Sequence, residues 1–176
     1  MDCKAIVIYE SKYGSTKKYA EWIAEAMNAE IAAAKAVKPE SLGAYDVVIY
    51  GGGLYAGGIA GINLVTENPC KKLVVFTVGL ADPGTTDYSD IIKKNISAEL
   101  RAKTKIFHLR GDIDYKRLGP VHKAMMAMMK GMIKKKPESE RGADDKLFLE
   151  TYGSQVNFAD KASIEPLVAF VRDIVI

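Results

Sequence analysis

The chain has 176 residues, of which 48% are apolar, and this is enough for one compact domain with a core of its own. Its net charge of +3 is too small to indicate a nucleic-acid partner. Cys3 and Cys70 form no metal-ligand spacing, and no segment is apolar for long enough to be a signal peptide or a membrane span, so we expect a cytoplasmic protein without a metal site.

The first predicted element is a short apolar strand over residues 5–9, followed by a helix over residues 17–27. Between them lies a turn rich in hydroxyl groups, formed by Ser11, Lys12, Tyr13, Gly14, Ser15 and Thr16. The first N–H groups of a helix lack backbone partners and the helix dipole is positive there, so such a turn binds anions. The turn therefore predicts a phosphate site, without the Walker A spacing. The alternative is an ordinary connection with a hydroxyl cap.

A weak alanine-rich strand is predicted near residues 30–34, and a buried strand over residues 46–50. A glycine-rich loop is predicted to follow, and its candidate ligand contacts are Gly53, Leu54, Tyr55, Ala56 and Gly57. Glycine lets the backbone approach a flat ligand closely and lets a peptide unit reorient at low cost. We expect Leu54 and Tyr55 to lie against a ring. The alternative is a mobile loop without ligand contact.

The next buried strand is predicted over residues 73–78 and ends in a long polar loop. Its candidate ligand contacts are Gly79, Leu80, Ala81 and Asp82, which would offer backbone donors to a second polar edge. The alternative is a surface turn at Pro83 and Gly84. A helix over residues 88–101, a strand over residues 105–109 and a helix over residues 164–176 complete the predicted elements.

Strands and helices thus alternate along the chain, and no linker divides it, so we expect a single domain over residues 1–176. Short continuous apolar strands are typical of a parallel sheet that helices cover on both faces. The prediction is a doubly wound α/β fold. Ligands of such sheets bind beyond the carboxyl ends of the strands, where the strand order reverses. The three loops described above follow strands and would meet at that edge.

A region over about residues 111–150 departs from the simple alternation. Five of the seven methionines lie between Met125 and Met132, and residues 116–136 carry seven Lys or Arg and no acid. One interpretation is a core-packing helix with solvated lysines. The other is an adaptable apolar surface for a hydrophobic substrate or for the inner face of an anionic membrane. We expect both histidines, His108 and His122, to be structural, and no catalytic acid or base is nominated.

A phosphate and a flat ring at one sheet edge indicate a mononucleotide with a large ring system, and FMN fits. Residues 11–16 resemble the hydroxyl-rich phosphate loop of the flavodoxin family, Thr/Ser-x-Thr-Gly-x-Thr, with Tyr13 in place of the third-position hydroxyl. The resemblance extends over the whole alternation of the chain. It implies a flavodoxin-like five-stranded sheet in the order 2-1-3-4-5 with a helical insertion after strand 5. It also implies FMN as cofactor, with residues 53–57 and 79–82 flanking the isoalloxazine ring.

The stretch Gly111-Asp112-Ile113-Asp114-Tyr115, followed by the methionine-rich helix, is similar to flavodoxin-type menaquinone-dependent protoporphyrinogen oxidases. That similarity implies an FMN-dependent oxidoreductase that oxidises a porphyrinogen or reduces a quinone. One rival function is an electron carrier with a protein partner and no small-molecule substrate, although such carriers are usually acidic. Another is an interaction module that keeps the fold without flavin.

Overall fold

The computed structural model of the chain describes residues 3–175. Its main strands are β1 (Ala5–Glu10), β2 (Glu30–Ala33), β3 (Val47–Tyr55), β4 (Gly58–Ile59), β5 (Leu73–Gly79) and β6 (Lys105–Arg110). They form one sheet in the order β2-β1-β3-β5-β6, in which these neighbours are parallel, and β4 pairs with β3 as an antiparallel hairpin. With β4 left out, this is the predicted order 2-1-3-4-5, so the doubly wound α/β fold is confirmed.

The helices of the described residues are α1 (Ser15–Met27), α2 (Asn63–Thr66), α3 (Ser89–Asn95), α4 (Ala98–Lys103), α5 (Pro120–Lys135), α6 (Ala143–Thr151) and α7 (Glu165–Val175). The single helix predicted over residues 88–101 is wrong. Ile96 and Ser97 leave the helical conformation, and the Ser97 hydroxyl caps α4 by accepting from Leu100 N. The last residue of the predicted C-terminal helix, Ile176, lies outside the described residues.

Two apolar clusters cover the two faces of the sheet, because alternate residues of a buried strand point to opposite faces. On one face, α1 and α7 pack against Val7, Ile49, Phe76 and other residues of the central strands. On the other face, Ile8, Tyr50 and Val75 belong to a cluster that includes Ile96 and, at its margin, side chains of α3 and α4. The central strands are therefore buried on both faces, as their continuous apolar sequences predict.

The segment between β6 and α7 forms a separate layer, which we call the insertion. It contains α5, α6 and a small antiparallel ribbon of β7 (Asp112–Asp114) and β8 (Gln155–Asn157). Its own apolar cluster contains Ile113, Tyr115 and Leu118, and both Tyr13 and Leu80 pack against this cluster. The insertion therefore contacts the first and third candidate loops. Among residues 3–175, no helix is long and apolar enough to cross a membrane.

Candidate functional site

The turn between β1 and α1 leads into a helix whose first N–H groups have no side-chain cap within residues 3–175. Gly14 is the N-cap residue of α1, and no side chain in the described part of the chain caps this helix. Gly14 has φ of 106° with open space where a Cβ would lie, so glycine is needed there for its backbone conformation. Ser11 Oγ accepts from Gly14 N at 3.2 Å, and Thr16 is only 3% exposed. The alternative of a hydroxyl-capped helix is therefore wrong, because the first N–H groups of α1 keep no side-chain partner.

Ser15 joins this turn to the insertion. Its Oγ accepts from Asp112 N at 3.0 Å and lies 3.4 Å from Asp112 O, to which it donates. The Lys18 ammonium lies 3.8 Å from the Asp112 carboxylate in the same contact. The structure thus gives the Ser15 hydroxyl a partner within the protein, a role that its position in a hydroxyl-rich turn does not reveal.

The glycine run after residue 50 belongs to the sheet. Gly51, Gly53 and Tyr55 lie within β3, so the prediction that a loop begins after residue 50 is wrong. A Cβ on Gly51 would overlap the ring of Phe76, and one on Gly53 would lie 2.8 Å from Cε2 of Tyr55. Gly51 is therefore required by close packing within the protein, since Phe76 is fully buried. A side chain at Gly53 would displace the Tyr55 ring. The strand continues through the glycines because they pair with β1 and β5, and β4 then pairs with its last two residues, Leu54 and Tyr55. A local sequence pattern does not show these partners.

The turn of this hairpin is formed by Ala56 and Gly57. Their φ values of 49° and 75° are both left-handed, as in the type I′ turns that connect two-residue hairpins. Asn95 of α3 holds the turn, since its Nδ2 donates to Gly57 O at 2.9 Å and its Oδ1 accepts from Ile59 N at 3.2 Å. Asn95 is a supporting residue that the sequence analysis missed, because its partners lie far away in the chain.

The loop after β5 folds back on itself and is tied to its neighbours. Asp82 Oδ1 accepts from Gly84 N at 2.9 Å, which closes a tight turn. Arg110 Nε donates to Leu80 O at 2.9 Å. A Cβ on Gly79 would lie 3.1 Å from Cδ1 of Leu54, so the second and third loops are in contact. Beside them, Tyr88 donates from its hydroxyl to Ala81 O at 3.4 Å.

An aromatic cluster connects the first two loops to the insertion. His122 of α5 stacks on Tyr55, with ring centroids 5.1 Å apart and planes 12° from parallel. His122 Nδ1 lies 2.5 Å from the Tyr13 hydroxyl, and Gly119 N donates to the same hydroxyl at 3.2 Å. The expectation that His122 is merely structural did not foresee this contact. The sequence around His122 in the methionine-rich helix does not indicate a contact with Tyr13 or Tyr55.

Two titratable groups of the cluster, Tyr55 and His122, favour their neutral forms. Burial raises the pKa of Tyr55 to about 12, with smaller contributions from Tyr13 and Glu10. Burial also lowers the pKa of His122, and the nearby Lys12 ammonium adds to this. The site therefore offers neutral donors and acceptors between the sheet edge and α5.

His108 lies apart from this cluster, on β6. Its ring stacks on Tyr88 with centroids 3.9 Å apart, and its Nδ1 lies 2.6 Å from Thr77 Oγ1. Burial lowers its pKa. Within residues 3–175, no three His, Cys, Asp or Glu side chains are grouped to hold a metal ion, and Cys3 and Cys70 are free thiols. His108 thus supports the end of the third loop.

Comparison with known proteins gives one family match. A family model described as a flavodoxin domain matches residues 6–140. No curated protein matches the chain significantly.

Several solved structures are similar to the chain. A WrbA-like flavodoxin from Agrobacterium tumefaciens is 22% identical, with 60% of this chain and 82% of that chain covered and a TM-score of 0.42. A flavoprotein from Lactobacillus acidophilus, solved in complex with FMN, is 14% identical over 62% of this chain and 93% of that chain, with a TM-score of 0.43. Rubredoxin oxygen:oxidoreductase from Desulfovibrio gigas is 12% identical over 98% of this chain and 37% of its own, with a TM-score of 0.44.

Proposed function

Because the chain belongs to the flavodoxin domain family, whose model matches residues 6–140, we propose that it binds FMN and transfers electrons through it. The observation that carries this proposal is the uncapped N-terminus of α1. It lies at the carboxyl end of β1, and the strand order reverses between β1 and β3. Free N–H groups, hydroxyls and Lys12 are the donors that a phosphate requires.

In this proposal, residues 11–16 hold the phosphate, and the backbone of residues 53–57 and 79–82 flanks the ring. When bound, FMN supplies the redox chemistry, and the protein binds and orients it. Leu54 at the end of β3 lies against Gly79 at the end of β5. The centroid of the Tyr55 ring lies 6.3 Å from that of the Tyr13 ring in the first loop. Tyr55 is stacked on His122 of the insertion, so in this proposal the insertion also borders the isoalloxazine ring.

The finer function that we propose is oxidation of a porphyrinogen or reduction of a quinone on the insertion. It is favoured by an exposed apolar surface on α5, which starts next to His122 and which we call the methionine face. Val121, Met128 and Met132 in this face are 71%, 65% and 62% exposed. A flat hydrophobic substrate would bury such side chains, and so would the inner surface of a membrane. The alternative is a carrier that transfers electrons to a redox partner protein.

FMN titration of the purified protein tests the first proposal. We expect the protein to take up FMN and quench its fluorescence. Thr16→Val removes the hydroxyl of a buried residue at the β1–α1 turn and keeps its size. We expect about 10-fold to 100-fold weaker binding, since hydrogen bonds to charged groups contribute about 1.5–3 kcal/mol. Thr104→Val is the matched control, because Thr104 directly precedes β6 at the opposite edge of the sheet. A protein that takes up no FMN contradicts the proposal.

Anaerobic turnover of protoporphyrinogen with a menaquinone acceptor separates the finer function from the carrier. We expect Met128→Gln and Met132→Gln to lower kcat/KM and to leave FMN affinity unchanged, because both side chains are exposed. Ile31→Gln is the control, since Ile31 is a 42% exposed apolar residue on the distant strand β2. An FMN-loaded protein that exchanges electrons with protein carriers but never turns over either substrate is a carrier.

A further inference from the structure

The imidazole of His122 is oriented by residues from three separate segments. Tyr55, in the β3–β4 hairpin, stacks on the ring with planes 12° from parallel. Tyr13, in the phosphate loop, places its hydroxyl oxygen 2.5 Å from Nδ1. Gly119, just before α5, donates its N–H to the same hydroxyl at 3.2 Å. Both the plane of the ring and the environment of one ring nitrogen are therefore fixed.

These contacts favour one position for the proton of the neutral imidazole. If Nδ1 carried it, the Tyr13 oxygen would accept from both Nδ1 and Gly119 N, and the hydroxyl proton would have no acceptor among the described residues. If Nδ1 accepts instead, the Tyr13 hydroxyl both donates and accepts, and the proton of the neutral ring is on Nε2. In the part of the chain that the structure describes, Nε2 has no hydrogen-bond partner. In this tautomer, Nε2–H is a donor that no acceptor among residues 3–175 occupies.

Burial, with a smaller contribution from a nearby ammonium group, favours the neutral form of His122. Lys12 and Tyr13 of the β1–α1 turn lie near the imidazole, and Lys123 follows it on α5. On the hairpin side the imidazole meets Tyr55, and Glu10 is the acid near Tyr55. Burial and the Lys12 ammonium lower the pKa of His122. At neutral pH the imidazole is therefore a neutral N–H donor.

We propose that His122 is a hydrogen-bond donor to the redox group of this site, and that Tyr13 is the positioning residue that holds its proton on Nε2. This inference rests on the proposed FMN function and deepens it. His122 stands between the phosphate loop and the hairpin that would flank the ring. A fixed donor stabilises the negative charge that a ring acquires on reduction, so it raises the reduction potential. The insertion thereby tunes the site as well as covering it.

Nitrogen-15 NMR of the histidine rings tests the orientation without FMN. We expect His122 to show the Nε2–H tautomer at neutral pH, and His122→Gln identifies its signals against those of His108. Tyr13→Phe removes the hydroxyl that fixes the tautomer, and we expect a mixture of both tautomers. Tyr152→Phe is the control, since Tyr152 packs against Tyr115 in the insertion and does not touch His122. A wild-type ring with its proton on Nδ1 overturns the proposal.

The reduction potential of the FMN-loaded protein tests the donor role. His122→Phe keeps a flat ring to stack on Tyr55 and removes the N–H, and we expect the ratio of reduced to oxidised flavin at a fixed potential to fall about 10-fold, which is about 30 mV for a two-electron couple. His122→Gln keeps a neutral N–H, and we expect a potential close to that of the wild type. FMN-loaded His122→Phe with an unchanged potential overturns the donor role. If the wild type takes up no FMN, the proposed function fails and the donor role fails with it, whereas the NMR result still decides the tautomer.

Discussion

Tyr19→Phe tests how the helix of the phosphate loop is attached to the rest of the fold. Tyr19 lies on α1 and is 0% exposed. Its hydroxyl donates to Arg110 O at 2.7 Å and accepts from Asp160 N at 3.1 Å. One oxygen thus joins α1 to the end of β6 and to the segment that leads into α7. The substitution removes this oxygen and leaves the ring in the core.

The expected cost follows from the two backbone partners that remain. A third partner, Ser163 Oγ at 3.4 Å, also donates to Asp160 O at 2.6 Å and keeps that hydrogen bond. A backbone carbonyl and a backbone N–H each lose a hydrogen bond that contributes about 0.5–1.5 kcal/mol, with a larger penalty when the group stays buried without a partner. Both bonds are only partly buried, so we expect the free energy of unfolding to fall by about 2 kcal/mol. Urea denaturation followed by circular dichroism measures the change, and the slope of the transition should stay constant.

Tyr152→Phe is the matched control for the same chemical change. The Tyr152 ring packs against Tyr115, and within residues 3–175 its hydroxyl makes no hydrogen bond. We expect this variant to change the free energy of unfolding by less than about 0.5 kcal/mol. If Tyr19→Phe is equally neutral, the Tyr19 hydroxyl does not join these elements and the reasoning is refuted.

Three further predictions concern stability. Thr104 Oγ1 is buried without a partner, so Thr104→Val should raise the urea midpoint by the equivalent of about 1 kcal/mol, and a lower midpoint would contradict this. Ala56 has a left-handed φ of 49°, so Ala56→Gly should stabilise the protein by up to about 1 kcal/mol, with calorimetry as the measurement; a destabilised variant would show that the turn carries no strain. Folding raises the pKa of Tyr55 from about 10 to about 12, so the neutral phenol stabilises the folded state. This contribution to the free energy of unfolding is fully present below about pH 10 and is lost as pH rises through about 12. Tyr55→Phe should remove this part of the pH dependence, which alkaline unfolding measures.

The turn between β1 and α1 shows what local sequence predicts well. An apolar strand, a hydroxyl-rich turn with Gly14 and an amphipathic helix are adjacent in the chain, and their conformations depend mainly on neighbouring residues. The loss of backbone partners at a helix start is likewise a local property. The turn was therefore predicted at the right place, although its helix begins at Ser15 rather than two residues later.

The glycine run shows where local sequence is insufficient. The sequence predicts a loop at Gly51 and Gly53, because the apolar run of the strand ends at Tyr50. In the structure they extend β3, where Phe76 and Tyr55 occupy the space that side chains would fill. Whether a strand continues past a glycine depends on its partner strands and on the packing above it, and both come from other parts of the chain.

By itself, the sequence determined the alternation of strands and helices, the parallel sheet and the position of the β1–α1 loop, because periodicity, turn residues and free helix ends are properties of short segments. Only the tertiary structure decided what surrounds that loop. His122 and Tyr13 are separated by 109 positions, yet their side chains are in hydrogen-bond contact. Such a contact exists only after the sheet has brought its loops to one edge and the insertion has packed over them, so no local pattern encodes it.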